Sequence, residues 1–491
     1  MVARPRPLLE FLRRDNPRSF FPLDATVLFL ERGEKEIREF VEEDIFHSDA
    51  KQAASFLTLP SAYALKDRHH LRRVLVLDPV ATFYLYDFMH RNTSAFQAPK
   101  EGVRRYFGYS FKNKKAVQSF DDYHRFRNRK YQLQKQYRHF LRIDISNCFN
   151  CLYHHDVTQF VEDHVSLEEG QKFGRFLREG SQGRSVSCIP QGLYPAKVVG
   201  NAFLSFIERS LELKAPSIIR FLDDGYLFSD KQAELELDLL RLQHIIGERN
   251  LSLNVAKTYF GDRGPNLLFP QLDEVKVSLL QKREEVQNYD EIDDADESVE
   301  LAAEELDYLI SLLRTGEVAE EDVELSLALA ADDEEIGLQL ARMVIEEFPS
   351  LLSVLHQKIG SIEDPDGEIF ATIQSRLRAK VVSESELFWL VRILSDYYTF
   401  DQEVADNLLR AYEHPAASPV VKSAVVENPE NSYGLLDLKE QTLRNGQGGV
   451  LGASAVAGLQ SLNKAKRNQI LKYVGKSSQY MQVICQIGRN F

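Results

Sequence analysis

The sequence predicts an α+β protein in two parts, a mixed α/β part followed by an all-α part. Three observations carry this. Between residues 61 and 275, short β-branched and aromatic runs alternate with stretches of helical period. From about residue 300 the period is helical throughout, as in LAAEELDYLISLLR, DEEIGLQLARMVIEEF, ESELFWLVRILSDYY and DQEVADNLLRAYE. Between the parts, residues 276–300 are polar, acidic and poor in aromatics, which reads as a linker. The expected organisation is an N-terminal extension over 1–60, a mixed domain over 61–275, an acidic linker over 276–300 and an α-helical repeat-like domain over 301–491. Turns such as SIEDPDG and HPAASP separate its helices, so it reads as stacked helical hairpins, although no clean repeat period emerges.

With 491 residues, 44% hydrophobic and 27% charged, the composition is that of an ordinary globular protein. No uninterrupted apolar run approaches the ~18 residues of a membrane span. The basic N-terminus has too short an apolar stretch for a signal peptide. Four cysteines, Cys148, Cys151, Cys188 and Cys485, make no disulfide framework in a chain this long. The C-x-x-C at 148–151 lacks a second pair and reads as small buried thiols in a reducing cytoplasm. Net charge is −14, but it is unevenly placed. Residues 101–142 carry twelve Lys/Arg against three Asp/Glu, and residues 281–340 carry three against twenty-one. The acidic block reads as a solvated helix face, and the rest of the chain is slightly positive. A nucleic-acid partner is therefore not excluded.

The mixed part opens with KDRHHLRRVLVLDPVATFYLYDFM, 66–89, a basic turn leading into an apolar strand. The next stretch, 104–142, interleaves cations with Tyr106, Phe107, Tyr109, Tyr123, Phe126, Tyr131 and Tyr137, which suits a surface that tracks a nucleic-acid backbone and stacks bases. FLRIDISNCFNCLYHHD, 140–156, begins as a strand, carries Asp144 at its end, and reaches Phe149 five residues later. In SCIPQGLYPAKVVGNAFLSFIERSLE, 187–212, a Pro190-Gln191-Gly192 turn enters an apolar helix. Gly192 lets the backbone approach a ligand closely, and Gln191 is placed to contact a nucleotide or template base. RFLDDGYLFSD, 220–230, puts Asp223 and Asp224 between two apolar runs, and the Asp-Gly at 224–225 is a hairpin signal. Two adjacent carboxylates repel unless a cation lies between them. One strand-end Asp and one hairpin-tip Asp pair, on strands ~4.8 Å apart, suit a two-metal phosphoryl-transfer site. Mg²⁺ takes a few carboxylates and keeps positions for water and phosphate. Finally LSLNVAKTYF, 251–260, offers Asn254 and Lys257, the lysine being placed to stabilise pyrophosphate or protonate it.

The ordered set DISNCF, IPQG, FLDDGY and LNVAKT resembles the palm motifs of reverse transcriptases, over roughly residues 65–265, about 40% of the chain. The usual tyrosine-x-Asp-Asp stands as Phe221-Leu222-Asp223-Asp224. The resemblance implies a right-hand polymerase fingers–palm and an RNA-directed DNA polymerase (nucleotidyltransferase). It assigns two Mg²⁺ ions, with Mn²⁺ as substitute, to Asp144, Asp223, Asp224 and the backbone of Ile145. It places Phe149 against the nucleotide's 2′ position, favouring deoxynucleotides. It gives the triphosphate to Arg73, with Arg72 and then Lys66 as alternates, because a forked guanidinium suits phosphate oxygens. Gln191 and Gly192 complete the nucleotide-binding set, and Lys257 joins the catalytic one.

The chain departs from the pattern at Leu193-Tyr194-Pro195-Ala196-Lys197, where small residues are usual, and this puts ordinary template reading in doubt. A palm followed directly by helices is similar to bacterial abortive-infection and defence-associated reverse transcriptases. That resemblance implies antiphage defence in the bacterial cytoplasm, no membrane partner, homo-oligomers, and DNA synthesis from dNTPs without a conventional template or with a protein primer. Tyr473 and Tyr480 are the primer candidates. The alternatives are an RNA-templated enzyme copying a dedicated non-coding RNA, a partner protein being possible, and a non-catalytic helical scaffold with a relic palm.

Overall fold

The computed structural model describes residues 7–47, 53–186, 189–263, 275, 278–279, 282–283, 301–313, 318–333 and 336–491. They form two compact units. The first comprises the described residues of 1–61, 73–267 and 475–491, the second those of 62–72 and 268–474. This differs from the linear division read from the sequence. Residues 475–491, grouped there with the helical array, pack in the first unit. Their helix, Gln479–Gly488, lies against α2 (Asp24–Glu39), which follows α1 (Pro7–Asp15). Gly33 of α2 makes room for it: a Cβ there would stand 2.5 Å from Ile487 Cδ1. The rings of Phe29 and Phe491 meet at 5.2 Å. Helical period alone cannot say which unit a terminal helix joins. Most of the acidic linker 276–300 lies outside the described residues.

The first unit is built on one sheet. A hairpin, β1 (Ser61–Leu65) and β2 (Leu71–Leu75), precedes it, and its outer part, 62–72, belongs to the second unit. The helix α3 (Pro79–Arg91) then starts with Asp78 as its cap, accepting from Val80 N and Ala81 N at 2.9 and 3.1 Å, with Pro79 pre-set for the first turn. The sheet comprises β3 (Arg104–Phe107), β6 (His139–Ser146), β7 (Ser217–Phe221), β8 (Asp224–Ser229) and β10 (Tyr259–Asp262), in the order β10-β6-β8-β7-β3, with β9 (Ser252–Leu253) pairing the end of β6. The short β4 (Phe111–Lys112) and β5 (Lys115–Ala116) form a separate hairpin. β6, β8 and β7 are antiparallel neighbours, and β3 runs parallel to β7.

Strand alternation gives the sheet two unlike faces. Leu141, Ile143, Ile218 and Leu227 point to one, which α7 (Tyr194–Phe203), α8 (Phe206–Arg209) and α9 (Gln232–Gly247) back with buried side chains. Phe140, Ile219, Tyr226 and Phe228 point to the other, where Phe126 and Leu133 of α4 (Ser119–Gln136) close an aromatic core. The remaining helices, α5 (His154–His164) and α6 (Leu167–Gly180), pack on each other.

In the second unit the described residues are all helical apart from the hairpin tip and connecting turns. Alternate helices stack: 352–358 on 384–397, then 419–427, then 449–457, with 337–346, 368–377 and 402–413 forming the other layer. Lys439 is buried where the turns after 419–427 and 449–457 meet, donating to the carbonyls of Asn428, Glu430 and Gly458. At the start of helix 384–397, the Glu384 carboxylate accepts from Tyr63 N of the hairpin tip. Among the described residues no helix is long and apolar enough to cross a membrane.

Candidate active site

The three aspartates converge on one end of the sheet. β6 and β8 align residue for residue, so Asp144 stands directly opposite Asp224. Phe221 and Asp224 close the β7–β8 hairpin, leaving Leu222 and Asp223 as its two-residue turn. The Asp-Gly signal therefore marks the strand start and not the turn. Leu222 takes the positive φ such turns need, 52°, at a cost of ~1–2 kcal/mol for a side chain that is not glycine. Gly225 serves close packing instead: a Cβ there would meet Ile143 Cγ1 at 3.0 Å. The backbone N–H of Ile145 donates to the Asp223 carbonyl at 3.1 Å, tying the end of β6 to the turn.

Two cations attend the carboxylates. Arg142 Nε donates to Asp224 Oδ1 at 3.1 Å, and Lys257 Nζ donates to Asp144 Oδ2 at 3.4 Å. Burial, aided by the Asp144 charge, raises the Asp224 pKa, and Arg142 opposes the rise. Lys130 of α4 lies with its ammonium 5.3 Å from the Tyr226 ring centre. Burial lowers its pKa, while Asp224 holds it up. Sequence reasoning missed Arg142, yet it sits two residues before Asp144 and so shares its face. Lys257 is thereby paired with Asp144.

Beneath the turn lies Arg220, the largest fully buried side chain of the described residues. Its Nε and Nη2 donate to Glu208 Oε1 and Oε2 at 2.7 and 3.2 Å, and its Nη1 donates to Asn201 Oδ1 at 2.9 Å and to the Leu222 carbonyl. No motif pointed to this pair.

The remaining candidates fall on neighbouring elements. Phe149 sits in a short 3₁₀ turn after β6, half-buried, its ring against α7 at Gly200, where a Cβ would stand 2.6 Å from Phe149 Cε1. Ile189 N donates to the Phe149 carbonyl at 3.1 Å, which joins that turn to the Pro190-Gln191-Gly192 loop. Gly192 has φ 95°, and its close neighbour is the Phe20 ring, 2.8 Å from a built Cβ, so the glycine admits a side chain of the N-terminal segment. Gln191 lines a cavity of about 40 Å³ with Phe20, Leu75 and Leu77. Arg73 on β2 donates from Nε to Ser61 Oγ at 3.1 Å, and Arg72 beside it is half-buried. Ser187 and Cys188, at the head of the loop motif, lie outside the described residues.

The bulky 193–197 stretch turns inward. Leu193 and Tyr194 are buried, and the Tyr194 hydroxyl donates to the carbonyls of Ser110 and Val117 at 2.8 and 2.7 Å. Its backbone N–H donates to Asp15 at 2.7 Å, and Lys197 places its ammonium 4.7 Å from the Tyr109 ring centre. Tyr194 thus ties α7 to the β4–β5 hairpin and to α1. Of the aromatics in the basic stretch, Tyr106, Phe107 and Phe126 are buried core, while Tyr123 and Tyr131 are exposed. Of the two primer candidates, Tyr480 is buried with its hydroxyl on Asp78, whereas Tyr473 is 74% exposed.

The donor set fits Mg²⁺ in kind: three carboxylates at one sheet end, two of them mutually repelling. Among the described residues, no group of three His, Cys, Asp or Glu side chains stands close enough to hold a metal ion. Arg142 and Lys257 meanwhile supply the positive charge.

Residues 84–309 match the family described as Reverse transcriptase (RNA-dependent DNA polymerase). The match spans the sheet and every aspartate and begins after Arg72 and Arg73. A search of curated proteins finds no match. Among solved structures, the chain is similar to telomerase from Candida albicans in complex with a TWJ fragment of telomeric RNA, with 11% identity over 84% of this chain and 70% of that one and a TM-score of 0.30. The family match lies on the sheet of the first unit, an α+β arrangement with an all-helical region after it in sequence, and supports reverse transcriptase, that is nucleotidyltransferase, activity.

Proposed function

We propose that the chain is an Mg²⁺-dependent DNA polymerase that extends a strand from dNTPs, copying RNA. The observation that carries this is the Asp144–Asp224 cross-strand pair beside the Asp223 turn, within a stretch matching reverse transcriptases. Asp144, Asp223 and Asp224, with the Ile145 backbone, are the residues to hold the two ions. Bound there, divalent metal would neutralise the transferring phosphate and align the attacking and leaving oxygens. Lys257, already on Asp144, is placed to pass a proton to departing pyrophosphate. Phe149, held by Gly200, sets a wall against a 2′-hydroxyl, and Arg73 with Arg72 binds the triphosphate. Gln191 and Gly192 bound the same loop.

Template use is supported by the match to a family described as RNA-dependent DNA polymerases. A protein-primed form would use Tyr473, the exposed candidate. A role in antiphage defence, in the bacterial cytoplasm and as a homo-oligomer or with a partner protein, rests on the resemblance of a palm followed by a helical array.

Purified protein with Mg²⁺ and labelled dNTPs, with and without nuclease pretreatment, tests the reading beside Asp223→Ala/Asp224→Ala. Synthesis that the double variant lowers by ~10³-fold or more supports it. RNA dependence identifies a templated enzyme. Product that forms after nuclease treatment and migrates with protein identifies the primed form. Equal signal from both proteins refutes catalysis at the aspartates.

A further inference from the structure

An open pocket of about 490 Å³ lies between α5, α6 and the loop at 183–185. Its cations are Arg175, Arg178 and Arg184, beside the imidazoles of His154 and His155. Arg175 is engaged, donating to Glu179 and to the carbonyls of Ile45 and Ala54. Arg178 and Arg184 are exposed, and neither guanidinium has an ion-pair partner among the described residues. Glu162 is the one carboxylate in the lining, and Thr158 and Ser185 add hydroxyls. The pocket therefore has a net positive lining with fork donors, suited to phosphate oxygens.

Its neighbour differs. Across His155 lies a second pocket of about 420 Å³ lined by Asp156, Asp163 and Glu248, where the one arginine, Arg249, sits 4.1 Å from the Phe206 ring centre. Anions are favoured on the α5–α6 side alone.

The positive pocket is joined to the candidate nucleotide site by its own walls. His154 N donates to the Ser185 carbonyl at 2.9 Å, and Tyr153 bridges Val186. The same two segments carry Phe149 and Gln191, which the Ile189–Phe149 bond links again. Gln191 follows Arg184 by seven positions, which bounds their distance at ~25 Å.

We propose that Arg178 and Arg184 form a phosphate-binding subsite for the backbone of the single strand engaged by the polymerase site. This rests on the polymerase reading for its strand, but its test does not require synthesis. The probe is a fluorescein-labelled 20-nucleotide single-stranded RNA, titrated with full-length protein by anisotropy across a salt series, without dNTPs. Arg178→Gln/Arg184→Gln is expected to weaken binding roughly tenfold near 0.1 M salt and to lower the slope of log K against log salt by about 1 to 2. Arg178→Lys/Arg184→Lys keeps the charge and should keep the slope. Arg410→Gln, an exposed arginine of the helical unit, should change neither. Melting curves matched to the parent establish folding. Unchanged affinity and slope in the glutamine variant overturn the subsite, including the case in which free dATP binding falls instead. Arginine-dependent binding with no synthesis by the parent protein leaves the subsite standing while the polymerase reading fails; synthesis with unaltered strand binding does the reverse.

Discussion

Replacing Glu208 by alanine should destabilise the first unit without removing any of the three aspartates. Glu208 and Arg220 are 4% and 1% exposed at their side chains. Among the described residues, their two-fold contact supplies the only formal negative charge bonded to the guanidinium. The other acceptors, Asn201 Oδ1, Asn201 O and Leu222 O, are neutral. Breaking a buried pair from one side leaves an uncompensated charge, which costs about 3–5 kcal/mol. At roughly 2–4 °C per kcal/mol for a unit of this size, the transition of the first unit should fall by roughly 10 °C. Calorimetry reads it. The companion variant, Glu208→Leu/Arg220→Met, removes both charges and should recover most of that stability. It should not recover dNTP incorporation, because the Leu222 carbonyl, inside the aspartate turn, has lost its donor. A single variant that melts within ~1 kcal/mol of the parent refutes the charge reasoning. A double variant that regains both stability and synthesis refutes the brace.

Three further outcomes follow from other contacts. Lys439→Met should destabilise the helical unit by about 3 kcal/mol, since two buried carbonyls and one partly buried carbonyl lose their donor, read as a lower melting transition with palm activity per folded molecule unchanged. Burial pushes Asp78 up to about 6 from 3.8, so its protonation stabilises the first unit below pH 4, and that contribution is lost as pH rises through 6; Asp78→Asn, which keeps an N-cap acceptor, should flatten the stability profile between those limits. Phe149→Ala should raise ribonucleotide incorporation relative to deoxynucleotide by ~10–100-fold in competition assays, and Gly200→Ala, whose Cβ would strike the ring, should shift the same ratio in the same direction.

Much of the palm was legible because strand alternation and carboxylate chemistry are local. Asp144 could be placed at a strand end from Phe140, Leu141 and Ile143 alone, and its partner pair from the apolar runs around it. What stayed hidden depended on which surface each residue meets. Asp224-Gly225 has turn composition, but the register puts the turn two residues earlier, on Leu222 and Asp223, and gives Gly225 to the approach of Ile143. Gly192 in its loop meets the Phe20 ring, and Tyr194 at the start of α7 donates its backbone N–H to Asp15, both partners more than 170 residues away in sequence. No periodicity reports such distant partners. Arg220 lies inside a strand run that reads as apolar, and its burial makes sense only once Glu208 is known to face it.

The return of residues 475–491 to α2 bears on how the chain is made. The helical unit is, in sequence, an interruption of the polymerase unit. During synthesis at ~5–20 residues per second, α2 and the Asp78 cap emerge at least ~20 s before the helix that covers them. Through that interval Phe29 and the Gly33 face await Phe491 and Ile487. A nascent chain halted within the helical array would therefore carry every aspartate of the site on a core left open, and would be a substrate for proteases and chaperones before it was a polymerase.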